Sequence, residues 1–172
     1  FNTARRDVQA RLVCARDLLA PSAIARVHRV ESLGAFLDGN EGRVPQALAG
    51  LFFAEPGHQI PGAILPDGHP IREKVPAAMI ALRDDPGEPM PVPASGWVEA
   101  DGQAVQVAPA HRAAVLQQVD GQGQAVATHY RWPGDGEFGW MVPVEGGMVE
   151  SRSERAATQP GPWGRRVGFL AA

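Results

Sequence analysis

Cysteine, lysine and long apolar runs are all scarce in this chain of 172 residues. The one cysteine, Cys14, excludes an internal disulfide and any cysteine-rich zinc site. That scarcity fits a reducing compartment, and the cytoplasm is the expected location. No stretch reaches the roughly 18 uninterrupted apolar residues needed to cross a bilayer, so no membrane span is expected in these residues. No basic, apolar, small-residue series at the start reads as a signal peptide. Phe1 is not an initiating residue, and residues preceding it are expected to be missing from this chain. Of the 16 basic residues only Lys74 is lysine, an arginine bias of the kind a GC-rich, bacterial-type genome imposes.

What remains is an ordinary globular composition, 44% hydrophobic, with 16 basic against 19 acidic side chains. A chain of this length buries roughly 70% of its unfolded surface, enough for one core without staples. The charge is uneven. Residues 1–50 carry seven arginines against five acids, a net of +2, which leaves −5 for the remainder of a chain whose formal charge is −3. That balance is weak for a nucleic-acid binder, so nucleic acid is disfavoured and a protein partner or self-association is expected.

Periodicity divides the chain into a helical head (1–55), a Pro/Gly-rich connector (56–75) and a β-rich body (76–172), the three expected to form one compact domain. In the head, Ala4, Val8, Leu12, Ala15 and Leu19 share one face of a helix expected over 3–19, capped by Thr3, with Cys14 near its apolar side. Asp7 and Arg11 stand at i, i+4, where an ion pair would form. Ser22 offers a second cap before Ile24, Val27 and Val30, with a break before Leu33, Phe36 and Leu37, and Pro45 suits the start of a final short helix. Residues 77–83 read as a buried strand. Trp97–Ala100, an Asp101-Gly102 turn and Ala104–Val107 form a strong hairpin signal. Residues 110–119 lean to strand, and Ala125–Trp132 and Phe138–Val144 read as an antiparallel pair. Further strands are expected at Met148–Arg152 and Arg166–Leu170. The fold class is therefore α+β, a small helical N-terminal segment followed by a mainly antiparallel sheet.

Motifs that carry chemistry are few. No Gly-x-Ser-x-Gly elbow, P-loop, dinucleotide fingerprint or tight His-x-His or His-Glu-x-x-His pair occurs. Glu55, His58, Asp67, His69 and Glu73 fall within nineteen residues of the connector, and of these His58, Asp67 and His69 are the candidate metal ligands. Residues 22–39 resemble in cadence the helix-turn-helix of phage repressors, from Ser22-Ala23-Ile24-Ala25 to Phe36-Leu37-Asp38-Gly39, with Arg26 and Arg29 placed for phosphates. The interval from Ile24 to Gly39 is about two residues shorter than that pattern. Near the end of the body, strand alternation puts Tyr130 and Trp132 on one face and His129 and Arg131 on the other, and Trp, Tyr and Arg dominate protein hot spots.

The resulting expectation is a non-catalytic interaction, assembly or regulatory protein, with Arg26, Arg29, Arg131, Trp132 and Trp140 as partner-binding residues and no cofactor. The alternatives are a DNA-binding regulator using residues 22–39 and a small metal-assisted enzyme with its site on the 55–73 loop. The reading leans away from an enzyme.

Overall fold

The computed structural model describes residues 1–136 and 138–141. The architecture is α+β. Helices α1 (Asn2–Val13), α2 (Pro21–Leu37) and α3 (Arg43–Ala54) come first, and α4 (Val75–Arg83) follows the connector. A two-residue pair, β1 (Glu88–Pro89) with β4 (Val107–Ala108), flanks a four-stranded antiparallel sheet. That sheet runs β3 (Gln103–Val105), β2 (Trp97–Ala100), β5 (Ala114–Val119), β6 (Ala125–Arg131). No helix among the described residues is long and apolar enough to cross a membrane.

The first helix stops six residues before its apolar face runs out. Beyond the cap at Cys14, backbone groups that a longer helix would use internally are taken by the sheet. Leu19 N donates to Gln117 Oε1 (2.9 Å), Asp17 O accepts from Gln117 Nε2 (3.1 Å), and Arg16 O accepts from Ala125 N (3.1 Å). Residues 14–20 are thus a linker tied across β5 and β6. Thr3 lies inside the helix and makes no cap, and Cys14 is exposed rather than buried.

Pro21 occupies the first turn of α2, where its missing N–H has no helical partner to lose. The helix then runs unbroken to Leu37, so the interruption expected within residues 22–39 is absent. It buries Ile24, Ala25, Val27, His28, Glu31, Ser32, Gly34 and Ala35. Helix α3 is more enclosed still, with Val44, Ala47 to Leu51 and Ala54 buried.

Residues 77–83 are helix, not the expected strand. A short apolar run does not separate the two by period, but Ala77, Ala78, Met79, Ala81 and Leu82 are strong helix formers and Pro76 sits in the first turn.

The inner face of the sheet joins the helices in one core through Ala113, Val115, Trp132 and half-buried Tyr130. Its outer face gathers Ala100, Ala114 and Leu116 beneath Phe138 and Trp140. Central strand β5 is therefore buried on both sides. Residues 138–141 cross that outer face without strand structure, so the expected strand over 138–144 is not formed in its described part. The strands expected at 148–152 and 166–170 lie outside the described residues.

Candidate functional site

A polar network lies between the helices and the sheet. The β2–β3 connection is a two-residue turn whose residues both have positive φ, Asp101 at +52° and Gly102 at +77°. This is the mirror-image turn that suits a twisted hairpin, and aspartate enters the left-handed region more readily than most side chains. The turn brings the Asp101 carboxylate to His28 Nε2 (2.9 Å), the Val115 N–H (2.8 Å) and the Arg112 guanidinium. His28 Nδ1 faces the Tyr130 hydroxyl at 3.1 Å. The ring fits because position 50 is glycine; a Cβ there would overlap it and lie 2.6 Å from the Ala113 carbonyl oxygen.

Burial pushes the Asp101 carboxyl up, but His28 and Arg112, with the hydrogen bonds from His28 and Val115, outweigh it and hold the group below its ordinary value. Burial, reinforced by Glu31 and Asp101, pushes the Tyr130 hydroxyl well above its ordinary value. The order Tyr–His–Asp matches nucleophile, base and orienting group. In this network burial keeps the Tyr130 hydroxyl protonated. The network fastens α2 to the sheet.

A second cluster holds α1. Glu31, fully buried on α2, accepts from Arg5 Nε (3.1 Å), Arg5 Nη2 (2.7 Å) and Gln9 Nε2 (2.9 Å). Arg5 Nη1 reaches Asp38 at 2.6 Å. The guanidinium lies against Gly34, where a Cβ would collide with it. Leu12 is the only buried residue of α1, and these polar contacts add to its packing in holding the helix.

An open groove of about 270 Å³ lies between α1 and α2. Val8, Leu12 and Ala15 line one side, and Ala23, Val27 and Val30 the other. Leu19 of the linker also lines it, as do the exposed side chains of Arg11 and Arg26. Each wall repeats one spacing: apolar at i, arginine at i+3, apolar at i+4 and i+7. The expected Asp7–Arg11 pair is not formed. Among the described residues neither Arg11 nor Arg26 has a carboxylate within 4.0 Å.

No family model, curated protein or solved structure matches this chain.

The five expected partner-binding residues are divided between two places. Arg26 is exposed on α2 and Arg29 half-buried on the same helix. Arg131 and Trp132 are buried, so neither presents a side chain to a partner in this structure. Arg131 donates to the carbonyls of Pro109 (3.0 Å) and Asp135 (3.3 Å) and pairs with Glu88. Trp132 meets Tyr130 edge-on, with Arg43 4.9 Å from its ring centroid. Trp140 stacks on His129 at 5.7 Å over the outer face. The alternation places Tyr130 and Trp132 inward, against the helices, and His129 and Arg131 outward, beneath Trp140 and Phe138.

The connector residues do not assemble. His58 Nδ1 pairs with Glu55 at 2.8 Å, while His69 Nδ1 accepts from the Ile71 N–H and its ring lies 5.3 Å from that of Phe36. Asp67 is fully exposed and lies 3.8 Å from Arg72 Nε. Among the described residues no group of three or more His, Cys, Asp or Glu side chains is placed to hold a metal ion. Val8, Leu12 and Ala15, expected on one face of a helix over 3–19, line the groove. The signal that marks them is the repeated arginine at i+3, which puts a charge along the edge of the apolar stripe.

Proposed function

We propose that this chain is a protein-binding module that works without catalysis, and that the α1–α2 groove is the surface its partner occupies. The observation that carries this reading is an apolar groove whose arginines are not neutralised by this chain's described residues. Half-buried apolar side chains on both walls leave room between the two helices for side chains from another chain. At about 270 Å³ the groove is at or below the size of small-molecule pockets and suits side chains inserted from another chain. The most developed acid–base arrangement, by contrast, is spent on joining the helical and sheet layers.

A photo-crosslinking residue at Ala23, in the groove, tests the reading against one at Gln122, on the exposed β5–β6 turn, with both variants expressed in the native host. The expected result is a discrete protein adduct from position 23 that position 122 does not give and that Val30→Glu abolishes. The same adducts from both positions, no adduct at position 23, or an adduct insensitive to Val30→Glu would overturn it. Circular dichroism establishes that the Val30 variant is folded.

A further inference from the structure

We propose that the groove takes a short acidic amphipathic helix of a protein partner; this rests on the reading of the groove as a docking site and specifies its occupant. Three observations carry it. The first is charge. Helices α1 and α2 hold five arginines (Arg5, Arg6, Arg11, Arg26, Arg29) against two acids (Asp7, Glu31), a net of +3, so the rest of a chain of formal charge −3 carries −6. One of the five, Arg5, is engaged by Glu31 and Asp38, whereas the two that line the groove have no carboxylate among the described residues. An occupant with Asp or Glu flanking its apolar residues supplies the missing charge, and a basic one meets repulsion.

The second observation is backbone chemistry. The walls are helices α1 and α2, continued on one side by the linker, and their main-chain groups are bonded within the helices or to the sheet, so the groove offers no ladder for an extended peptide. A strand laid there would bury its own N–H and C=O groups without partners, whereas a helix brings its hydrogen bonds with it. The third is length. Each wall extends over eight residues, 8–15 and 23–30, a span of roughly 10 Å at 1.5 Å per residue. A helix of two to three turns, anchored by apolar side chains at i, i+3 or i+4, and i+7, covers that span and completes a three-helix arrangement.

The experiment uses the ¹⁵N-labelled full chain and three synthetic peptides of about three helical turns. The first has leucines at i, i+4 and i+7 with glutamates beside them, the second has lysine for each glutamate, and the third is the acidic peptide broken by a central proline. The expected result is amide shift changes concentrated at residues 8–15 and 23–30, with the acidic helix bound at least about tenfold more tightly than the lysine version and the proline version weakest. In the Arg11→Glu/Arg26→Glu variant, whose substitutions are both exposed and leave the fold intact by circular dichroism, the preference between the first two peptides should invert.

Equal binding of the acidic and basic helices, no loss on introducing proline, binding of none of the three, or shifts centred elsewhere would overturn the proposal. So would salt-sensitive binding of a DNA duplex that shifts the same amides in place of the acidic helix. Failure of the groove reading is recognised separately, since it removes the Ala23 crosslink. If that crosslink persists at full yield in the doubly charge-reversed variant, the groove is a docking site but its partner is not acidic.

Discussion

Replacing Asp101 is the most demanding test of how the two layers are joined. Asp101→Ala removes an acceptor from three donors at once: the His28 ring, the Arg112 guanidinium and the Val115 N–H. Breaking a buried ion pair from one side costs about 3–5 kcal/mol, and an orphaned buried N–H about 1–3 more. Asp85 Oδ2 remains 3.9 Å from Arg112 Nε and offsets part of this, so about 4 kcal/mol is expected, most of the stability of an ordinary domain. Asp101→Asn keeps the shape, the tolerance of positive φ and an acceptor for Val115, and should cost about half as much. Urea unfolding of both variants, and of Asp101→Asn combined with Arg112→Met, measures the effect. A coupling of about 2 kcal/mol is expected, because the second change removes the charge that the first left unbalanced. Loss of less than about 1 kcal/mol in Asp101→Ala, or strict additivity in the double variant, would refute the reasoning. The pH dependence has a fixed sign. A carboxyl held below its ordinary value stabilises fully above 3.8, and that contribution disappears as pH falls through the folded-state pKa, so Asp101→Asn should flatten the acid limb of the stability profile.

Tyr130, the sole tyrosine, should ionise above the ordinary value of 10 when ultraviolet absorbance is followed on raising pH. Its raised pKa means a contribution present below pH 10 and lost as pH rises through the folded value, so Tyr130→Phe should cost about 1 kcal/mol at neutral pH and remove that alkaline loss. Gly50→Ala should destabilise by about 2 kcal/mol or more in urea, because the new methyl meets the His28 ring and the Ala113 carbonyl; an exposed helix would instead gain up to about 1 kcal/mol from the same change. Glu31→Gln should cost about 2 kcal/mol and, by hydrogen exchange, lower amide protection in α1 while leaving α3 protected. Uniform loss across both helices would show that α1 is not held as a separate unit.

The parts legible from sequence are those in which a residue's local requirement and its tertiary one agree. Asp101-Gly102 announces a hairpin because its backbone preference and the alternation on either side point the same way. Pro21 marks a helix boundary for a reason inherent in proline, although it begins the second helix as well as separating it from the first. Legibility fails where distant groups compete for the backbone. Nothing near Arg16 or Asp17 says that Gln117 and Ala125 will claim their carbonyls, so the helix expected to reach residue 19 stops at Val13. His28 and Asp101 lie 73 positions apart, and neither shows a partner locally. The burial of Arg131 and Trp132 was hidden for a related reason: alternation assigns a side chain to a face but does not reveal that residues 138–141 cover the outer one. The groove leaves a trace in the sequence, because both helices repeat an arginine at i+3 along the edge of an apolar stripe.

The placement of Asp101 also bears on how strand register is chosen. Val98 pairs with Gln118 and Ala100 with Leu116, and the next step of that ladder is the Asp101 N–H on the Val115 carbonyl. A one-residue slip of β2 against β5 exchanges the two faces of a strand and draws the carboxylate away from both His28 and Arg112. The slipped chain then retains two buried polar groups with no counterpart, so it is separated from the correct pairing by several kcal/mol rather than by the small difference between two nearly equivalent ladders. One aspartate thereby acts as an error check on sheet alignment, and a helix that never enters the sheet supplies half of the key.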